Sequence, residues 1–269
     1  MASRLQALGA AIALLLAWPS GSPVSAGTLC QGSVPTVIGT SGNNELTGTP
    51  GPDVIDGGGG NDTIRGRGGA DVICGGGGSD DISGGDGGDS IKGGSGEDLI
   101  RGETDRDIID GNGHADIIYG GDGDDSIHGN DGNDELNGDA GSDDLHGDDD
   151  IDLLNGGEDN DVVYGGKHDN AGHDTLNGNG GNDGLFGFGG DDLIHGNAGD
   201  DEIHGDTGPR RPSGDVGDDE LYGDAGDDSI FGDEGNDFLD GGSGDGDFLD
   251  GSAGTDQCVN GETYAAGCD

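Results

Sequence analysis

The chain has 269 residues, of which 67 are glycine, and it carries 58 acidic against 9 basic residues for a formal charge of −49. Apolar residues make up 28% and aromatic residues 4%, a composition that excludes an ordinary hydrophobic core and, without further help, predicts disorder. Nucleic acid and anionic membrane surfaces are excluded as partners because both are polyanions and would be repelled; cations are the natural partner.

In chain order, residues 1–26 come first: Arg4, an apolar run from Ala7 to Trp18, then small residues ending in Val24, Ser25 and Ala26. This pattern predicts a secretory signal peptide, and no later segment approaches the roughly 20 apolar residues of a membrane span. A short N-terminal cap segment is expected over 27–38, a repeat region over 39–261 and a C-terminal cap over 262–269.

The repeat region has a period of nine. Glycine recurs at that spacing from Gly39 through Gly165 and from Gly178 to Gly241, with clear units such as GGGGNDTIR from Gly57, GGGGSDDIS from Gly75, GGDGGDSIK from Gly84 and GGDGDDSIH from Gly120. The sixth position is aspartate in unbroken register: Asp53, Asp62, Asp71, Asp80, Asp89, Asp98, Asp107, Asp116, Asp125, Asp134, Asp143, Asp152 and Asp161. It resumes as Asp174, Asp183, Asp192, Asp201, Asp219, Asp228 and Asp237. The eighth position is aliphatic, from Ile55 and Ile64 through Leu154 and Val163. Glycine lets the backbone take positive φ and turn tightly, aiming carbonyl oxygens at a common centre. Aspartate adds a charged oxygen, which suits a hard cation such as calcium. The three residues that follow predict a short strand whose aliphatic side chain faces inward.

Each unit fits Gly-Gly-x-Gly-x-Asp-x-U-x, with U aliphatic, and resembles the calcium-binding nonapeptide of the RTX (repeats-in-toxin) family over about residues 39–261. The resemblance implies an all-β, right-handed parallel β-roll in which two nonapeptides form one coil and calcium ions sit between successive turns. The aspartates named above, apart from Asp152, are the expected carboxylate ligands. Gly57, Gly60, Gly75, Gly78, Gly84, Gly87, Gly120 and Gly123 are expected to contribute backbone carbonyls.

Four departures stand out. The turns GETDRDIID from Gly102 and GDDDIDLLN from Gly147 lose their flexible glycines, so weak or empty sites are expected at Asp107 and Asp152. The unit GGKHDNAGHDTLN from Gly165 carries four extra residues, read as a surface bulge that leaves Asp174 and Leu176 in phase. In GDTGPRRPS from Gly205, Arg210 stands at the ligand position and Pro212 at the aliphatic one, which reads as a calcium-free turn within a continuous roll. The Gly-x-Gly-x-x-Gly matches lack a following helix, and their aspartates would repel a phosphate. His128, His146, His195 and His204 all fall at the outward ninth position and read as solvated.

Four cysteines in an exported chain are expected to pair, and their places favour Cys30 with Cys74 and Cys258 with Cys268. Repeats fill the region after the leader, so a separate catalytic domain is not expected and the chain reads as a secreted calcium-binding protein. An extracellular adhesion or interaction module, or a calcium-binding part related to a secreted hydrolase or toxin, is the alternative.

Overall fold

A computed structural model describes residues 30–166, 172–206, 217–265 and 267–268. The expected leader, Arg210 and Pro212 lie outside the described residues. Within them the chain is all strand, wound into a parallel β-solenoid of two sheets with 13 and 12 strands. Successive strands alternate between the sheets, so each coil consumes two nonapeptides and each strand pairs with the one a coil away. Ile91 aligns with Ile109 in one sheet and Ile82 with Ile100 in the other, both eighteen residues apart.

Strand alternation explains the interior. In Ser90–Ser95, Ile91 and Gly93 point in while Ser90 and Lys92 point out. The inward aliphatic of each unit, from Ile55 to Leu249, is fully buried, and the two rows meet in one thin core. Glycine beside the aliphatic lets the opposing sheets approach this closely.

The turns take positive φ at their second and fourth positions, as at Gly85 (114°) and Gly87 (106°). The same backbone persists where glycine is absent: Glu103 and Asp105 have φ of 90° and 71°, and Asp148 and Asp150 both have 79°. Stacking between neighbouring coils therefore holds these residues in a conformation they would not choose alone.

Pairing continues across both irregular units. Asp152 aligns with Asp174 across 22 residues, and the alignments Asp192 to Asp219 and Asp201 to Asp228 each span 27. Gly172 lies against the carbonyl of Asp150 and Gly217 against that of Gly190, so each begins the fourth position of its turn. Gly165 and Gly205 each take the first position of those turns, against the carboxylates of Asp174 and Asp219. This corrects the reading of GDTGPRRPS as a complete nonapeptide in the stack: pairing bypasses one whole period and continues unbroken on both sides. The register then slips to 19 residues between Phe238 and Gln257 and to 15 between Phe248 and Thr263.

Disulfides close both ends. Cys30 bonds Cys74, with Cα atoms 5.8 Å apart, and Cys258 bonds Cys268, at 5.3 Å. The first ties the N-terminal segment to the outer face of a sheet, where Gln31 also exchanges hydrogen bonds with Ser90.

Candidate metal centres

The sixth-position aspartates form two columns, one beside each sheet edge. The Oδ1 of Asp89 accepts the backbone N–H of Asp71 at 2.8 Å, and Asp107 accepts that of Asp89 at 2.7 Å. The Asp71 carbonyl accepts the N–H of Ser90 at 2.9 Å. N–H, C=O and Oδ1 are thereby all engaged in fixing the register, which leaves one oxygen per carboxylate.

That oxygen, Oδ2, is buried and without a hydrogen-bond partner at Asp62, Asp71, Asp80, Asp89 and Asp98. The same holds at every further column aspartate through Asp256. Leaving a buried polar atom unsatisfied costs about 1–3 kcal/mol, and more for a charged one. Burial pushes the Asp80 carboxyl up to about 6, those of Asp89 and Asp98 to about 7 and that of Asp116 to about 8. The backbone N–H each accepts opposes the rise, and the adjacent carboxylate of the column adds to it.

The first glycine of each turn makes room for these oxygens. A Cβ on Gly84 would lie 2.2 Å from Asp89 Oδ2 and 2.9 Å from the Gly102 carbonyl oxygen; one on Gly120 would meet Asp125 Oδ2 at 2.3 Å and the Gly138 carbonyl at 2.8 Å. A carboxylate oxygen and a carbonyl oxygen of the next coil converge there, a hard-oxygen donor set that fits calcium. Among the described residues no three His, Cys, Asp or Glu side chains gather into a metal site, so acidic side chains alone do not complete a coordination shell here. Of the glycines expected to donate, the Gly75, Gly84 and Gly120 carbonyls face the first glycine of the preceding coil. Those of Gly60, Gly78 and Gly123 face the fourth position of the following one.

Not every expected ligand is alike. Asp53, at the N-terminal end, has both oxygens satisfied: Oδ2 accepts the Thr49 N–H at 2.6 Å and Oδ1 the Thr36 hydroxyl at 3.2 Å. The Thr49 N–H holds its carboxyl below the usual range, against the effect of burial. Asp107 and Asp152, expected in weak sites, sit in the columns with Oδ2 as orphaned as elsewhere.

Three further buried carboxylates escaped the sequence reading. Asp247 and Asp256 extend the columns with Oδ2 unpartnered. Each stands two residues before an inward residue, Leu249 or Cys258, so the Asp-x-U signal was present and strict counting by nine hid it. Asp206 lies outside the columns, its Oδ2 accepting the Glu234 N–H at 2.9 Å. Burial, and next the charge of Asp219, push its carboxyl up to about 9.

The ninth-position histidines point outward as expected but are not merely solvated. His128, His146, Tyr164, Phe186, His204 and Phe231 stack along one sheet with ring centroids 4.3–5.4 Å apart. The Asp148 carboxylate, 2.9 Å from His128 Nδ1, holds the imidazole above its usual pKa.

Two columns of buried, half-satisfied carboxylates facing glycine carbonyls in a parallel β-roll define a cation-binding solenoid. The chain matches the RTX calcium-binding nonapeptide repeat (4 copies) over residues 38–73, 75–109, 110–145, 146–170, 168–187, 185–209 and 213–247, and it belongs to that family. RTX repeats in such a solenoid bind calcium. No curated protein matches the chain. No helix among the described residues is long and apolar enough to cross a membrane.

Proposed function

We propose that the chain is a secreted, non-catalytic calcium-binding protein whose roll forms as calcium binds. The observation that carries this reading is the column of buried Oδ2 atoms without a donor. Ionised and unpaired, neighbouring carboxylates one coil apart repel in a poorly solvated interior; a divalent ion held among them reverses the sign of that interaction. About twenty ions would bring about +40, offsetting most of the −49.

The ligands are the column aspartates from Asp62 to Asp237, joined by Asp152, Asp247 and Asp256, with turn carbonyls completing each site. Asp53 serves as a hydrogen-bonded end cap. Residues 1–26 act as the leader, 27–38 as the N-terminal cap, 39–261 as the roll and 262–269 as the C-terminal cap. The paired cysteines support an oxidising, extracellular destination. Circular dichroism decides the matter: exhaustive chelation at neutral pH should abolish the β spectrum and millimolar calcium should restore it. An unchanged spectrum after chelation would sink the proposal.

A further inference from the structure

The last coil departs from the nonapeptide. In a regular unit six residues, such as Gly93 to Asp98, separate the ninth position of one repeat from the seventh of the next, whereas only Asn260, Gly261 and Glu262 separate Val259 from Thr263. Pairing nevertheless aligns Phe248 with Thr263 and Leu249 with Tyr264, which puts Glu262 in register with Asp247.

Glu262 also takes over the hydrogen bond of a column aspartate. Its Oε2 accepts the Asp247 N–H at 3.0 Å, just as Asp247 Oδ1 accepts that of Asp228 at 3.0 Å. The Thr263 N–H donates to the Asp247 carbonyl at 3.0 Å, as the Phe248 N–H does to that of Asp228 at 2.8 Å. A Cβ on Gly241 would lie 2.8 Å from the Asn260 carbonyl oxygen, matching the 2.7 Å between a Cβ on Gly223 and the Gly241 carbonyl. Asp247 itself is fully buried with Oδ2 unpartnered.

We propose that Glu262 is a metal ligand which, with Asp247 and the Asn260 carbonyl, holds the last divalent cation of its column. This rests on the calcium reading above. The residue type follows from geometry: a turn shortened by three residues starts its side chain from a different place, and glutamate has one more methylene of reach than aspartate. The N-terminal ends are built differently. Asn44 begins the other column with an uncharged side chain while its N–H donates to Asp62 at 2.7 Å, and Asp53 is satisfied by Thr36 and Thr49. At the C-terminal end two carboxylates meet, and among the described residues neither forms an ion pair with Lys or Arg.

Native mass spectrometry of the full chain, at calcium just sufficient to saturate the wild type, tests this with Glu262→Gln, which keeps the hydrogen-bond acceptor and loses the charge. One ion fewer per chain, with the β spectrum retained, is the expected result. An unchanged number would reduce Glu262 to a backbone cap and overturn the proposal, whereas a wild type that binds no calcium would overturn the calcium reading itself. If the variant does not fold, the wild type labelled with ¹³C at its glutamate carboxyls decides: the Glu262 signal must shift and saturate with calcium, and an unmoved signal overturns the proposal.

Discussion

The Oδ1 of Asp125 accepts the backbone N–H of Asp107 at 2.7 Å, across eighteen residues of sequence and one coil of the roll. The bond gives one carboxylate two tasks. One oxygen sets the stacking register; the other, buried and unpartnered, is left for a cation. Removing the charge and removing the side chain should therefore have separable effects.

Asp116→Asn keeps an oxygen to accept the Asp98 N–H, now at 2.7 Å, and loses the charge. It should weaken calcium binding at mid-column while the calcium-loaded roll still forms. Asp116→Ala loses both and should cost about 1–3 kcal/mol more, as a buried N–H is left without an acceptor. Calcium titrations and thermal melts of the two variants side by side check this; equal losses would mean that Oδ1 contributes nothing to register.

Gly84→Ala places a methyl 2.2 Å from Asp89 Oδ2, and Gly77→Ala places one in open space. The first should destabilise the loaded roll by about 1–3 kcal/mol and lower calcium affinity; the second should be near neutral. Denaturation in excess calcium compares them, and a Gly84→Ala melt like that of the wild type would rule out the crowded cradle.

Acid and calcium should compete. The column carboxyls are raised in the folded chain, Asp80 to about 6, Asp89 to about 7 and Asp116 to about 8, from an ordinary 3.8. Without calcium, their contribution favours folding fully below that ordinary value and is lost as pH rises through about 6 to 8. The chelated chain should thus gain β structure on acidification from pH 8 towards 5. Calcium added near pH 5, where acid has restored β structure to the chelated chain, should release protons and bind more weakly than at neutral pH. Calorimetric titration in buffers of different ionisation heat reads the proton release, and heats independent of buffer would contradict it.

Deleting residues 208–216 leaves two residues between Gly205, in the first position of that turn, and Gly217, in the fourth, which is the regular number. Because pairing already runs from Asp192 to Asp219, the deletion should preserve calcium stoichiometry and shift Tm by only a few degrees. Loss of several ions would show that the inserted segment contributes to the stack.

The columns from Asp62 to Asp161 were legible in the sequence because position along a nonapeptide dictates position in a coil, and a strand places its eighth residue inward wherever it occurs. The extra carboxylates were not. Asp247 and Asp256 lie after one extra residue that breaks a count by nine, and the stack absorbs it because it aligns inward side chains and hydrogen bonds instead of residue numbers. The bypassed unit misled for the opposite reason. An insertion of one full period keeps the later aspartates on count, so Arg210 seemed to occupy a ligand position that the register passes over.

Period and residue type alone determined the short strands, the inward aliphatic residues and the oxygen-rich character of the turns, since each follows from contacts within nine residues; the roll that stacks them was implied by the resemblance to the RTX repeat. Which oxygens have partners was decided only by the tertiary structure. Asp53 and Asp71 occupy the same place in the repeat, yet Thr36 and Thr49 satisfy the first while the second keeps an orphaned Oδ2. The same is true of Glu262, which belongs to no nonapeptide and still inherits a column position. A carboxylate's surroundings here are set by the coil above and the coil below, 15 to 27 residues away in sequence, and only stacking brings those neighbours together.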